Sequence, residues 1–366
     1  MEEQKTLETR YVGIDLAKRT YEVAIVGKHG KVTLSNGKTT AEGRGGLYRK
    51  LCATDTVALE AGNMAFIIAK EIGARVGCRV YVLNPSHLAL IYGSMKKTDK
   101  EDSLKLAHIV EDIPEERLPL VAVPSDEEMT RRKLLASSRR AVQSRTQAIN
   151  QMHMLFVAQG ITDVTKKDLA RAQRRKEVVL SRLVGLELEE GEYLLKCIQL
   201  YEERIEAVEK RMEAASAGDQ QMKRLQTVPG VGPKVSFAFV AHVGAERFEN
   251  GDQVSNYLGL VPRVYMSGAT VRYGRITKRG NGYVRALLVQ AAWAIIRTKT
   301  GGALKERYEY MTKEKGMSKK KSIVCIARKM AVLLYTLMRD GGTYEPRPFK
   351  RKKTEVKVLA QLAISV

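Results

Sequence analysis

Residues 264–281, "VYMSGATVRYGRITKRGN", hold one serine, four basic side chains and no acid. Ser267 is followed within a dozen positions by Arg272, Arg275, Lys278 and Arg279. A serine hydroxyl attacks poorly unless a base or a metal removes its proton. Arginines close by can stabilise the extra charge of a pentacoordinate phosphorus. No histidine is near in sequence; His242, 25 residues upstream, reads as structural. A serine beside a glycine is equally a plain turn, so a reactive Ser267 must draw its activation from elsewhere in the chain. Four acids are the available source: Asp15, Glu60, Asp99 and Asp102. Carboxylates clustered around Mg²⁺ are a common solution for phosphodiester chemistry, because the hard cation prefers oxygen ligands and offsets developing charge. Asp99 and Asp102 also have an ordinary reading, since acids favour helix N-termini. Glu60, closing an apolar run, has no such partner.

The elements that must position these acids alternate. "YVGIDLA", "TYEVAIVG" and "KVTLSN" read as three short strands joined by tight connections. "GRGGLYRKLCA" reads as a helix, "DTVALEAG" as a strand, "NMAFIIAKEIGARVG" as a helix and "CRVYVLNP" as a strand. "TDKEDSLKLAHIVEDI" is a helix capped by Thr98 or Asp99, with Asp99 and Asp102 three apart on one face. Asp15 then ends the first strand and Glu60 the fourth. Three hairpin strands followed by alternating helices and strands predict a mixed α/β sheet with layered helices over residues 8–112.

The middle, residues 124–222, reads as helical. "PSDEEMTRRKLLASSRRAVQSRTQAINQMHMLFVAQG" opens on a start signal and closes at Gly160. In a second long helix Leu194, Ile198, Tyr201, Ile205, Val208, Met212 and Ala215 are spaced 4-3-4-3-4-3, an a/d seam. The seam predicts an antiparallel helical pair that also joins another subunit as a coiled coil; packing within its own domain is the alternative.

Residues 225–342 read as mostly helical. "LQTVPGVGPKVSFAFVAHVG" has the pattern of a helix-hairpin-helix, with Gly230 and Gly232 letting backbone approach a phosphate and Lys234 on the next helix. Any helix corner can look the same. Glycines at 268, 274 and 280 predict an irregular loop around Ser267. Arg263, Arg272, Arg275, Lys278, Arg279 and Asn281 complete the expected nucleic-acid contacts. The tail, residues 343–366, with "RPFKRKK", is expected to be a solvated basic arm.

Composition supports a polyanionic partner. The chain of 366 residues carries a formal charge of +22, and 44% of its residues are hydrophobic, which argues against disorder. Net charge is +5 over residues 1–110, zero over 111–225 and +17 over 226–366, so the C-terminal part should dominate phosphate contact and bind in a salt-sensitive way. Four scattered cysteines without a C-x-x-C argue against zinc and a disulfide framework, and fit a reducing cytoplasm. The polar start "MEEQKTLETR" is unlike a signal peptide, and no apolar run reaches the ~18 residues of a membrane span. Aromatic content of 6% offers no evident stacking platform, and nothing separates an RNA-binding from a DNA-binding face.

"GIDLAKRTYEVAIV", "ALEAGN" and "KTDKEDSLKLA" resemble the RuvC-like, ribonuclease-H-type domain of a family of bacterial insertion-sequence transposases, the bridge-RNA-guided recombinases. "NYLGLVPR…SGATVRYGRITKRGNGYVRALLVQAA" is similar to that family's transposase domain. The resemblance covers about residues 11–110 and 225–340. It implies an Asp-Glu-Asp-Asp quartet, here Asp15, Glu60, Asp99 and Asp102, that binds Mg²⁺, and a nucleophile at Ser267 that forms a phosphoserine link to DNA. It further implies a non-coding bridge RNA that pairs with element-end and target DNA, and dimers that assemble into tetramers in the bacterial cytoplasm, associated with the nucleoid. Two other classes stay open on the residues alone. One is a metal-only nuclease resembling Holliday-junction resolvases, with Ser267 structural. The other is a non-enzymatic, basic nucleic-acid-binding protein.

Overall fold

The computed structural model describes residues 9–62, 64–91, 98–244, 247–267 and 270–349. The chain divides into two compact units, residues 1–125 and 126–366.

In the first unit the order is β1 (Tyr11–Leu16), β2 (Thr20–Val26), β3 (Val32–Lys38), α1 (Ala41–Tyr48), β4 (Thr56–Glu60), α2 (Ala65–Val76), β5 (Arg79–Leu83), α3 (Pro85–Ile91) and α4 (Asp99–Asp112). The sheet runs β3-β2-β1-β4-β5. β2 is antiparallel to both neighbours, while β1, β4 and β5 are parallel. This mixed sheet is consistent with the ribonuclease-H-like fold expected from the sequence. Side chains alternate across a strand, so each strand feeds two layers. Val12, Ile14, Val57 and Leu59 pack with Leu47 of α1 and Ile68 and Ile72 of α2 on one face. Ala58 and Tyr81 pack with Leu106, Ile109 and Val110 of α4 on the other. Gly13 points at α4 as well: a Cβ placed on it would lie 1.9 Å from the Ser103 carbonyl oxygen and 2.5 Å from the Ala107 nitrogen. The absent side chain lets α4 rest directly on the β1 backbone.

The second unit comprises α5 (Asp126–Ala158), α6 (Lys166–Leu169), α7 (Ala172–Arg182), α8 (Gly185–Ser216), α9 (Gln220–Gln226), α10 (Pro233–His242), α11 (Gly251–Tyr257), β6 (Pro262–Ser267), β7 (Thr270–Ile276), α12 (Gly282–Ile295), α13 (Gly302–Glu309) and α14 (Lys319–Asp340). α5 and α8 form the expected antiparallel pair. Met152 and Phe156, late in α5, share a cluster with Leu194 and Ile198, early in α8, whereas Leu135 packs with Val208 and Met212. The a/d seam is thus buried within the chain against α5. Ala215, its last member, is exposed.

Residues 160–183, inside the stretch read as helical, cap the tip of this pair through α6 and α7. Val164, Leu169, Val178 and Val179 enter the same cluster, and the buried Arg175 guanidinium donates to Glu202 at 2.8 Å and to the Leu169 carbonyl at 2.9 Å. At the other end Leu135, Val208 and Met212 join a core built on α10, α12 and α14, in which Phe237, Leu288 and Tyr335 are fully buried. The four cysteines are free thiols. No helix among the described residues is long and apolar enough to cross a membrane.

Two expectations are corrected. The segment around Ser267 is not an irregular loop but an antiparallel ribbon of β6 and β7, with Ser267 paired to Thr270 at its end. Gly274 serves the ribbon, since the Tyr265 ring lies over it, and Gly268 lies outside the described residues. Residues 343–349 are not a free arm. The Tyr344 hydroxyl donates to the Gly301 carbonyl, the Phe349 amide donates to Glu306, and the Phe349 ring stacks beside Tyr310. The rest of the basic tail lies outside the described residues.

Candidate active site

The four predicted carboxylates come together within the first unit. Asp15 shares the α4-facing side of β1 with Gly13, and Glu60 shares the α4-facing side of β4 with Ala58. Gly13 pairs with Ala58 and Ile14 with Leu59, so the next step in register sets Asp15 beside Glu60. Both stand at the carboxyl ends of parallel strands, where α/β sheets open their clefts. Thr98 caps α4, its hydroxyl accepting from the Glu101 amide at 3.3 Å. That cap starts the helix so that Asp99 and Asp102 fall in its first turn. Close packing of α4 on Gly13 then brings this turn over the strand ends. Asp15, Glu60, Asp99 and Asp102 line one cleft of about 570 Å³, with Lys18, Ala61, Gly62, Met64 and Ala65 in its wall. Asn63, part of the quoted "ALEAGN", lies outside the described residues.

Asp15 senses the other three carboxylates. Burial, then Asp99, Asp102 and Glu60 in that order, push the Asp15 carboxyl up to about 6. A cluster of like charge with one member so displaced is short of positive charge. Lys105 supplies part of it, at 3.0 Å from Asp102. In this arrangement the acids do not close on one point: among the described residues no three Asp, Glu, His or Cys side chains are drawn together tightly enough to hold an ion. The donor set is all oxygen and suits a hard divalent cation, which would relieve the same repulsion that raises Asp15.

In the second unit, Ser267 is exposed at the end of β6, and its hydroxyl has no hydrogen bond among the described residues. Register pairs Tyr265 with Arg272 and Ser267 with Thr270, so these four side chains share one face of the ribbon. Arg263, Arg272, Arg275, Lys278 and Arg279 are all exposed.

The base of the ribbon is locked. A Cβ on Gly280 would lie 1.9 Å from the Tyr257 carbonyl oxygen, and one on Gly259 2.2 Å from that of Arg279. Arg285 donates to the Leu258 and Arg279 carbonyls at 2.8 and 3.0 Å. Asn281, expected to contact nucleic acid, caps α12 by accepting from the Tyr283 and Val284 amides at 2.9 and 3.2 Å. Its amide nitrogen lies 3.1 Å from His242 Nε2. Burial, then Arg132 and Arg247, lower the His242 pKa to about 4, so the ring is neutral and structural, as expected. This anchoring group escaped the sequence reading, because residues 242 and 281 are linked only by the fold.

α9 and α10 flank the Gly230–Gly232 turn. Gly230 has φ +86°, and a Cβ there would meet the Ala291 carbonyl at 2.7 Å, so packing on α12 already requires a glycine. Gly232 caps α10, and a Cβ there would meet no atom within 4 Å. Lys234 pairs with Glu209 at 3.3 Å.

Comparison with known proteins places both halves in one family. A model described as a transposase of the DEDD, IS110 type matches residues 12–158, which hold all four carboxylates. A second, described as the transposase IS116/IS110/IS902 family, matches residues 222–309, which hold Ser267 and the ribbon. A "Probable family 20 transposase" of Pseudomonas aeruginosa is 28% identical over 92% of this chain and 98% of its own length. The transposase for insertion sequence element IS1111A of Coxiella burnetii is 27% identical over 92% of each chain. A pilin gene-inverting protein of Moraxella bovis is 22% identical over 92% of this chain and 98% of its own length. With its carboxylate cleft inside one match and its serine ribbon inside the other, in that order along one chain, the protein belongs to the insertion-sequence transposases of the IS110/IS116 family.

Proposed function

We propose that this transposase cuts and exchanges DNA strands through a phosphoserine link at Ser267, with the Asp15, Glu60, Asp99 and Asp102 carboxylates acting on the same phosphodiester, from one chain or from two. The observation that carries the reading is the division of labour. An acid cluster with a perturbed member, around Asp15, lies in one unit, and an exposed serine with basic neighbours and no base of its own nearby in sequence lies in the other. Ser267 Oγ forms a bond to phosphorus as the P–O3′ bond breaks. The serine gives up its proton, the departing 3′ oxygen takes one, and Arg272 on the same ribbon face is placed to stabilise the added negative charge. The freed 3′-OH of another strand later attacks the phosphoserine and restores a free hydroxyl. The four carboxylates would hold Mg²⁺, which when bound lowers the cost of deprotonating a hydroxyl.

The substrates are the element ends and a target DNA. Gene inversion, named for the Moraxella bovis relative, is a rearrangement of the same strand-exchange type. The +17 charge of residues 226–366 supports contact with polyanions, which in this reading include a non-coding bridge RNA encoded beside the gene. Dimers that assemble into tetramers on DNA, with Gly232, Lys234, Arg263, Arg275, Lys278 and Arg279 at the nucleic acid, complete the proposal, set in the bacterial cytoplasm at the nucleoid.

Labelled element-end DNA incubated with the protein, Mg²⁺ and RNA transcribed from the gene's flank tests this directly. A denaturant-resistant protein–DNA adduct that disappears in Ser267→Ala is expected. Cleavage that survives Ser267→Ala but not Asp15→Asn would assign the cutting to the carboxylates alone.

A further inference from the structure

The ribbon has a second face that the nucleophile does not use. Register pairs Val264 with Tyr273 and Met266 with Val271, so these four side chains project opposite to Ser267 and Arg272. Their exposures are 52%, 72%, 71% and 45%. Among the described residues β6 and β7 pair only with each other, and a lone hairpin gains little from its own pairing. Four exposed apolar groups on such an element call for an occupant.

Charge selects that occupant. Residues 253–305 contain nine Lys and Arg and no Asp or Glu. A protein partner would therefore need an acidic rim around an apolar centre, whereas nucleic acid supplies both through phosphates and bases. At the ribbon's root Gly259 and Gly280 lie against opposing backbone and Arg285 donates to two carbonyls, so the ribbon projects from a fixed base. A two-stranded ribbon is also thin enough to enter a DNA groove.

We infer that the ribbon is a two-sided DNA wedge: Ser267 and Arg272 face a phosphodiester, while Val264, Met266, Val271 and Tyr273 press against unstacked bases of the adjoining step. Apolar side chains driven between base steps are an established way to open and bend a duplex. Here the opened step lies beside the phosphate to be cut. The inference deepens the phosphoserine reading and rests on it for the choice of strand, but base contact itself needs no reaction.

The test uses the full chain and two DNA duplexes, one fully paired and one with a two-base mismatch bubble, titrated across a range of salt. A bubble relieves the wedge of the work of unstacking, so the protein should bind it about tenfold tighter than the paired duplex. Met266→Ser/Tyr273→Ser should abolish that preference and leave the salt slope unchanged. Arg272→Ala should lower the slope by about one unit and keep the preference. Both changes are at exposed positions, and an unchanged melting temperature checks the fold. No preference in the native protein, or a preference that survives the double substitution, overturns the wedge. So does a double variant that keeps the preference and loses self-association in sedimentation, because the face then belongs to a second copy. Ser267→Ala should keep the preference, so a failed adduct assay refutes the nucleophile without touching the wedge, and the reverse also holds.

Discussion

Gly13 and Ser103 meet without a side chain between them: a Cβ on Gly13 would stand 1.9 Å from the Ser103 carbonyl oxygen. Ser103 follows Asp102 and is fully buried, so this contact sets the height of the α4 first turn over β1. Gly13→Ala must lift α4 away from the sheet. Overpacking against helix backbone costs about 3 kcal/mol, read as a lower midpoint in urea denaturation. Strand cleavage should fall further than stability explains, because Asp99 and Asp102 move with the helix while Asp15 stays. Full activity in a folded Gly13→Ala protein would show that the four acids do not act together.

Asp15→Asn should separate function from stability. The Asp15 carboxyl is raised to about 6, first by burial and then by Asp99, Asp102 and Glu60. Its ionisation therefore opposes folding: the unfolded chain loses this proton near the ordinary aspartate value, and stability declines as pH rises from there through 6. Asparagine removes the charge at similar shape. At pH 7.5 the variant should melt at or above the native temperature while losing cleavage altogether. A clear drop in melting temperature would mean that the carboxylate is a structural partner.

Divalent cations should bind the cleft in a way that thermal unfolding can read without any reaction. A ligand for the folded state alone adds RT ln(1 + [L]/Kd), about 2.7 kcal/mol at one hundred times Kd. Mg²⁺ at pH 7.5 should raise the melting temperature of the native chain and of Ser267→Ala. The rise should be absent in Asp15→Asn and Glu60→Gln and should reverse on chelation. An equal rise in all four proteins would place the cation elsewhere.

His242 gives the second unit its own pH signature. Burial, Arg132 and Arg247 lower its pKa to about 4, against 6.5 for an ordinary histidine. Below 6.5 the unfolded chain takes up a proton that the folded chain refuses, so stability is complete above about 6.5 and is lost as pH falls toward 4. The full loss is about 3.5 kcal/mol, at roughly 1.4 kcal/mol per pH unit of displacement. Urea midpoints at pH 7 and pH 4.5 should differ by less in His242→Gln than in the native chain. Equal differences would show that the ring titrates normally.

How much of this was readable from sequence depends on where each signal lies. Asp15 and Glu60 sit where apolar alternation stops, and Asp99 and Asp102 follow a capping threonine, so short-range pattern singles out all four as candidates, and the family resemblance groups them as a quartet; the fold places them on one cleft. The basic neighbours of Ser267 only make phosphate chemistry possible, the family resemblance is what singles it out, and its ribbon is not legible in the sequence. Both strands are exposed, so no buried alternation marks them, and Gly274 looks like a break until the Tyr265 ring is seen lying over it. The heptad seam was visible, but sequence spacing does not say which helix fills it, and α5 does. The separate helices α6 and α7 carry no distinct sequence signal, because the burial of a charged residue such as Arg175, on Glu202 and the Leu169 carbonyl, depends on partners supplied by the fold. Asn281 was assigned to nucleic acid by its basic neighbourhood, and its capping of α12 needed only the next three residues to be seen as a helix start.

The base of the ribbon yields the last prediction. Gly280 has φ +71°, and a Cβ there would press to 1.9 Å from the Tyr257 carbonyl. Gly280→Ala carries two costs: a left-handed backbone that alanine disfavours, about 1 kcal/mol, and displacement of the Tyr257 turn. A well-packed core of α10, α12 and α14 lies beyond this contact and should keep the unit folded. The ribbon, however, would pivot on a loosened hinge, so Ser267 and Arg272 would no longer be held at a fixed angle to a bound phosphate. The expected result is adduct formation slowed by about a hundredfold, as for an ångström-scale misplacement of reacting groups, with DNA affinity nearly unchanged because the exposed arginines remain. Ser267→Ala offers the contrast, since its hydroxyl has no hydrogen bond among the described residues to lose: melting temperature unchanged, adduct absent. Should Gly280→Ala form adduct at the native rate, the rigidity of the ribbon base would have no part in the reaction.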